Sequence, residues 1–309
     1  MAMASNVTNV FEQGNYNTKL ISINDPSTTT SFSIPPPKPL LIATPIQEGQ
    51  FPILILLHGY LLYNNFYSQL ILHIASHGYI VLAPQLYTVA GPDSSEEIRS
   101  AAALTDWIST GLAAILPKQV LLNTEKIAIS GHSRGGKVAF ALALGHAKTM
   151  KLSFSALMAI DPVDGMDKGK QTNPSILTYV PHSFDLKIAA MVIGSGLGGV
   201  KKNPIFPACA PKGVSHEDFY SECCAPAWHF VAKDYGHVDM LDDETEGFRG
   251  KASYCLCKSG KERKGMRRFV GGIMVAFMKA YLEGHDEDLK AIWTDPKIAN
   301  IDISCNCFL

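Results

Sequence analysis

The chain of 309 residues predicts a mostly parallel, doubly wound α/β sheet flanked by helices. Three observations carry that expectation. Short aliphatic runs, continuous rather than alternating, recur along the sequence, as in parallel strands buried on both faces. Longer helical patterns separate them, and strand–helix alternation is the mark of a sheet built from crossover connections. One of the runs leads straight into Gly131-His132-Ser133-Arg134-Gly135, and a helical pattern begins at once.

The elements follow in order. Residues 1–36, ending at the Pro35-Pro36-Pro37 run, read as an edge strand or arm leading into a single domain over 37–309. Strand-like runs lie at 40–44, 53–57, 79–83, 126–130, 157–160, 188–193 and 228–232. Helical patterns cover 67–76, 96–115, 135–147 and 266–282. Two stretches read as insertions: 163–185, rich in Gly, Pro, Lys and Asp, and 194–226, dense in Pro and Cys. Both fall at the carboxyl ends of strands. Loops there line the crevice of an open α/β sheet, so both are expected to form a substrate-side wall or cap.

Composition narrows the function. With 47% hydrophobic and 18% charged residues, the chain can bury a large core. Its net charge is −1 and no basic run is long, which argues against a nucleic-acid partner. The cluster Lys261, Arg263, Lys264, Arg267 and Arg268 reads as the solvated face of a late helix. No apolar run approaches the ~20 residues of a membrane span. The N-terminal stretch has no apolar core and its first basic residue is Lys19, which fits neither a secretory signal nor an Arg-rich transit peptide. All seven cysteines lie at or after Cys209, so disulfides are expected among the C-terminal loops, with at least one thiol unpaired. Zinc sites favour wider spacings than the two Cys-x-Cys pairs, and no metal is expected.

A strand running into Gly-x-Ser-x-Gly and then a helix is the nucleophile elbow of an α/β-hydrolase. The glycines flank a turn too tight for a Cβ. The helix N-terminus aims free N–H groups at a developing oxyanion. A serine needs a base and a group to orient that base, and here they follow in the order Ser, acid, His. Asp161 caps the run 157–160, and Pro162 stops the strand; Asp164, in an Asp-Gly turn signal, and Asp185 are the alternatives. His237 follows the last strand in a glycine-containing loop and is the expected base, with His216 of the second insertion as the alternative. His132 is expected to point away from the nucleophile. Oxyanion donors are expected from the backbone N–H groups of Arg134 and Tyr60. The Arg134 guanidinium either neutralises an acid or braces a loop. This chemistry calls for no cofactor.

The elbow Gly131 to Lys137 belongs to a wider set of motifs. It joins Asp161-Pro162-Val163-Asp164-Gly165, Cys209-Ala210-Pro211-Lys212-Gly213 and Ala232-Lys233-Asp234-Tyr235-Gly236-His237-Val238-Asp239-Met240-Leu241-Asp242-Asp243. In these the chain resembles plant chlorophyllase, from Val10-Phe11-Glu12-Gln13-Gly14 to the final helix. The resemblance implies an esterase that cleaves the phytyl ester of chlorophyll to chlorophyllide and phytol, with Ser133, Asp161 and His237 as its triad. Such a substrate needs a wide apolar pocket. Leu61, Tyr63 and Phe66 after the oxyanion loop, and Phe206 and Phe219 in the second insertion, are the candidate wall. A membrane-borne substrate and a chain without a span together imply peripheral or transient membrane contact. The resemblance implies the chloroplast, with cytosol, endoplasmic reticulum or vacuole as alternatives. Two other readings share the fold: a general carboxylesterase, lipase or cutinase-like enzyme, and a catalytically silent binding protein, against which the intact triad counts.

Overall fold

A single sheet organises the chain in the computed structural model, which describes residues 9–25 and 34–309. The rest of the expected N-terminal arm lies outside the described residues. The strands are β1 (Thr18–Ile23), β2 (Leu40–Pro45), β3 (Gly49–Leu57), β4 (Ile80–Pro84), β5 (Val120–His132), β6 (Ala156–Ile160), β7 (Ala189–Ser195), β8 (Ala227–Ala232) and β9 (Ile303–Phe308). Their order in space is β1-β2-β4-β3-β5-β6-β7-β8-β9. The six strands from β4 to β8 are parallel. β1 and β2 at one edge and β9 at the other run antiparallel to their neighbours.

Burial on both faces explains the continuous aliphatic runs. In β3, Leu54 and Leu56 enter one core, while Ile53, Ile55 and Leu57 enter the other. The first core is closed by helices α1 (Ser68–Ser76) and α6 (Arg263–Met278), through Leu70, Ile74, Phe269 and Ile273. The second is closed by α2 (Ser95–Gly111) and α3 (Arg134–Ala143), through Ile98, Leu104, Val138 and Phe140. Two shorter helices, α4 (His216–Glu222) and α5 (Gly247–Leu256), sit in the loops after β7 and β8, and α7 (Glu287–Thr294) precedes β9.

The structure departs from the sequence reading in a few places. β9, α4, α5 and α7 were not expected. Arg263 and Arg267 are buried, not solvated. Their guanidinium Nη1 atoms donate to the carbonyls of Asp242 and Leu241, each at 2.7 Å, and so brace the chain just beyond the loop that carries His237. Cys209 and Cys257 form a disulfide that joins the loops following β7 and β8.

Candidate active site

The elbow forms because β5 must reverse within a few residues to start α3. Ser133 sits at the reversal with φ 55° and ψ −122°, a left-handed conformation that a non-glycine residue adopts only where the surroundings enforce it. A Cβ on Gly131 would lie 2.1 Å from the Gly135 carbonyl oxygen, and one on Gly135 would lie 2.3 Å from that of Leu57. Both glycines are therefore steric requirements of the turn.

Three strand ends deliver the remaining groups. Asp161 follows β6 directly and is fully buried. His237 stands in the loop after β8. Its Nε2 lies 2.9 Å from Ser133 Oγ, and its Nδ1 lies 2.7 Å from Asp161 Oδ2. The Ser195 hydroxyl, at the end of β7, donates a short hydrogen bond to the same Oδ2, while the Ser195 N–H donates to Oδ1 at 3.2 Å. Burial opposes ionisation of Asp161. The His237 hydrogen bond and charge, helped by His216 and Ser195, outweigh it and hold the carboxyl below the usual carboxylate range.

The alternatives from the sequence occupy other places. Asp164 is fully buried, lies 3.3 Å from Lys137 Nζ, and accepts from the N–H groups of Ile176 and Leu177 at 2.9 and 3.1 Å. It ties the 163–185 segment to α3. Asp185 is exposed and pairs with Lys187. His216 begins α4 behind the acid, with Nε2 4.0 Å from Asp161 Oδ1 and Nδ1 2.9 Å from His229 Nε2. Burial pushes His229 down to about 3, so it is a neutral partner to His216.

His132 forms no hydrogen bond with the nucleophile Ser133 but packs beside the base. Its ring lies 4.7 Å from that of His237, and its Nε2 lies 2.8 Å from the His237 carbonyl oxygen. Its Nδ1 meets the Tyr67 hydroxyl at 2.7 Å, and that hydroxyl accepts the Gly59 N–H at 3.0 Å. Burial, with His237 nearby, lowers His132 to about 3. The neutral ring donates through Nε2 and accepts at Nδ1, so one chain of hydrogen bonds spans three loops. His58 is fixed in the same way: its Nε2 accepts the Leu86 N–H at 3.0 Å, its Nδ1 donates to Gly59 O at 2.9 Å, and burial lowers it to about 4.

Gly59 spends its N–H on the Tyr67 hydroxyl. Neither the Tyr60 nor the Arg134 N–H has an acceptor among the described residues. The Arg134 guanidinium forks onto Glu97 at 2.8 and 2.6 Å and donates to the carbonyls of Gly91 and Asp93 at 2.8 and 2.9 Å. It also lies over the rings of Tyr60 and Tyr87, at 5.6 and 5.8 Å. It both meets an acid and braces the loop after β4.

The candidate wall divides. Leu61 and Tyr63 are half-buried beside Tyr60, and Phe206 is exposed. Phe66 and Phe219 are core residues. Phe66 packs under Tyr63, and Phe219 packs against Phe140 at 5.0 Å, because each lies on the inward side of its short helix. Tyr67, His132 and Ser195 were not anticipated as site residues. The signal available for Ser195 was its place two residues beyond the strand-like run 188–193, at the start of the second insertion.

A mostly parallel sheet with a serine elbow and a Ser–His–Asp hydrogen-bonded set defines an α/β-hydrolase. The chlorophyllase family model matches residues 6–307, and the chain belongs to that family. It is 58% identical over 299 residues to chlorophyllase-2 of Arabidopsis thaliana, covering 94% of this chain and 93% of that protein. It is 47% identical over 292 residues to chlorophyllase-1 of the same plant, covering 94% and 89%. A third relative, named chlorophyllase-1, chloroplastic, of Citrus unshiu, is 45% identical over 298 residues, covering 95% and 87%.

Proposed function

We propose that this chain is a carboxylic ester hydrolase that cleaves the phytyl ester of chlorophyll through an acyl-enzyme on Ser133. The reading is carried by one observation. The Ser133–His237–Asp161 hydrogen bonds are in place in a chain 58% identical to a protein named chlorophyllase-2.

His237 Nε2 takes the Ser133 proton as Oγ attacks the ester carbonyl, and Asp161 holds the Nδ1–H tautomer and stabilises the imidazolium. The oxyanion is met by the N–H groups of Tyr60 and Arg134 at the start of α3, where the helix dipole adds to both. The C–O bond to phytol breaks as His237 returns the proton to the leaving oxygen. Water then attacks the acyl-serine by the same route and releases chlorophyllide. Leu61, Tyr63 and Phe206, the three of the candidate wall that are not core residues, are our candidates for apolar contact with the substrate. The chloroplast is the proposed compartment, supported by the names of the Citrus relatives.

The test is incubation of the purified chain with chlorophyll a in detergent beside Ser133→Ala, with chlorophyllide followed by chromatography. Chlorophyllide from the wild type alone is expected. Cleavage of short-chain esters with chlorophyll untouched would replace this reading with a general carboxylesterase.

A further inference from the structure

We propose that the loop pair 196–214 and 247–258 forms a docking face for an anionic lipid bilayer beside the mouth of the active site. The choice of a bilayer as occupant rests on the proposed chlorophyll substrate.

The two segments form one covalent unit. Cys209 and Cys257 are disulfide-bonded, Lys201 and Cys257 form a β-bridge, and Lys202 Nζ donates to the Tyr254 carbonyl. The unit is rooted in the catalytic loops. The Leu197 N–H donates to Tyr235 O at 2.9 Å, two residues before His237. Asp239 Oδ2 accepts both the Gly236 N–H at 2.7 Å and the Gly260 N–H at 2.8 Å. The Arg249 guanidinium stacks 4.8 Å from the ring of Tyr63, in the loop after β3.

Its outer surface combines two properties. Ile205 and Phe248 are 85% and 87% exposed, with Val200, Phe206 and Leu256 exposed as well. Large apolar side chains held so far out gain nothing within the fold, and clustered they mark an interaction surface. At the opposite end of the sheet, Met150 and Leu121 are exposed in separate segments, before β6 and at the start of β5. The second property is charge. Lys201, Lys202, Lys212, Lys251 and Lys258 are exposed in these segments, and neither segment contains an Asp or Glu, in a chain of net charge −1. None of the five forms an ion pair with a carboxylate among the described residues. Apolar tips set among unopposed cations match anionic headgroups over hydrocarbon. No helix among the described residues is long and apolar enough to cross a membrane.

The test uses the full chain and sedimentation with vesicles of phosphatidylcholine alone or mixed with phosphatidylglycerol. Binding to the mixed vesicles is expected to be roughly tenfold tighter or more, and to weaken as salt is raised. Val200→Ser with Phe248→Ser, and separately Lys201→Glu with Lys251→Glu, are each expected to lose roughly tenfold or more, while Met150→Ser binds as the wild type does. Turnover of a water-soluble short-chain ester should be unchanged in all three. Equal partition onto both vesicle types, or variants that bind like the wild type, would overturn the proposal. A dimer abolished by the Phe248 variant would assign the face to a second copy and also overturn it. Vesicle binding without chlorophyllide formation in detergent would leave the docking face standing and remove the substrate reading; the converse result would do the reverse.

Discussion

His132 Nε2 lies 2.8 Å from the carbonyl oxygen of His237, so the residue preceding the nucleophile is bonded to the backbone of the base. Through Tyr67 the same ring reaches the Gly59 N–H in the oxyanion loop. The elbow, the base and the anion donors are thus held in one hydrogen-bonded register, and the spacing of reacting groups depends on a side chain that packs beside the base and bonds to its backbone. Geometry at this precision matters because small displacements of reacting atoms cost large factors in rate.

His132→Phe should therefore lower kcat on a soluble ester by roughly tenfold with KM nearly unchanged, since it removes positioning and not substrate contact. Tyr67→Phe should show a milder loss in the same direction. Steady-state kinetics on folded variants check this, and an unchanged kcat in His132→Phe would remove the positioning role.

For the triad itself, Ser133→Ala should abolish acyl-enzyme formation. Asp161→Asn should lower kcat by roughly 10⁴-fold, because an amide at Oδ2 favours the wrong His237 tautomer. Burst kinetics with a p-nitrophenyl ester, read by mass spectrometry of trapped acyl-serine, separate the two variants. Retention of full activity by Asp161→Asn would shift the acid role elsewhere.

Stability should fall on acidification starting near neutrality. His58, His132 and His229 are lowered by burial from 6.5 to about 4, about 3 and about 3. Below 6.5 the unfolded chain binds protons at these positions and the folded chain does not, so stability is complete above that pH and lost as it falls. Each such histidine contributes a slope of about 1.4 kcal/mol per pH unit until its folded value is reached. Thermal melts from pH 7.5 to 5 should show a steadily decreasing Tm, and His229→Phe should flatten the decline. A Tm independent of pH over this range would contradict the neutral assignment.

Lys137 and Asp164 form a fully buried ion pair, with Lys137 also donating to Ser94 Oγ at 2.9 Å and to the Thr172 carbonyl. Lys137→Met alone leaves a buried carboxylate unopposed and should cost about 3–5 kcal/mol; Lys137→Met with Asp164→Leu should recover part of it. Urea titrations of the three proteins check both effects. Equal stability of the single variant and the wild type would show that the pair is not coupled to folding.

Much of the frame is legible in the sequence because its signals are local. Each central strand is a short aliphatic run, since both faces of β3 to β7 are covered, and the elbow announces itself through glycines that sterics demand. β9 is hidden because an edge strand with one wet face alternates Ile303, Cys305 and Cys307 with polar residues and lacks the aliphatic run. Arg263 and Arg267 read as solvated because their acceptors, the carbonyls of Leu241 and Asp242, are distant in sequence and are backbone atoms. Ser133, His237 and Asp161 stand at strand ends, where topology alone points to them. His132, Tyr67 and Ser195 act across loops, and no spacing rule connects them. Phe66 and Phe219 show the reverse error, since an aromatic in a loop-rich segment can still be the inward side of a one- or two-turn helix.

In the pattern Gly-x-Ser-x-Gly the two variable letters look like free ground for laboratory evolution. Here neither is free: His132 carries the register between loops, and Arg134 anchors the segment after β4 through Glu97 and two carbonyls. A mutant library that randomises these positions will consist mostly of clones with lowered kcat. Diversity aimed at new ester preferences belongs instead at Leu61 and Phe206, candidate substrate contacts whose side chains form none of these bonds.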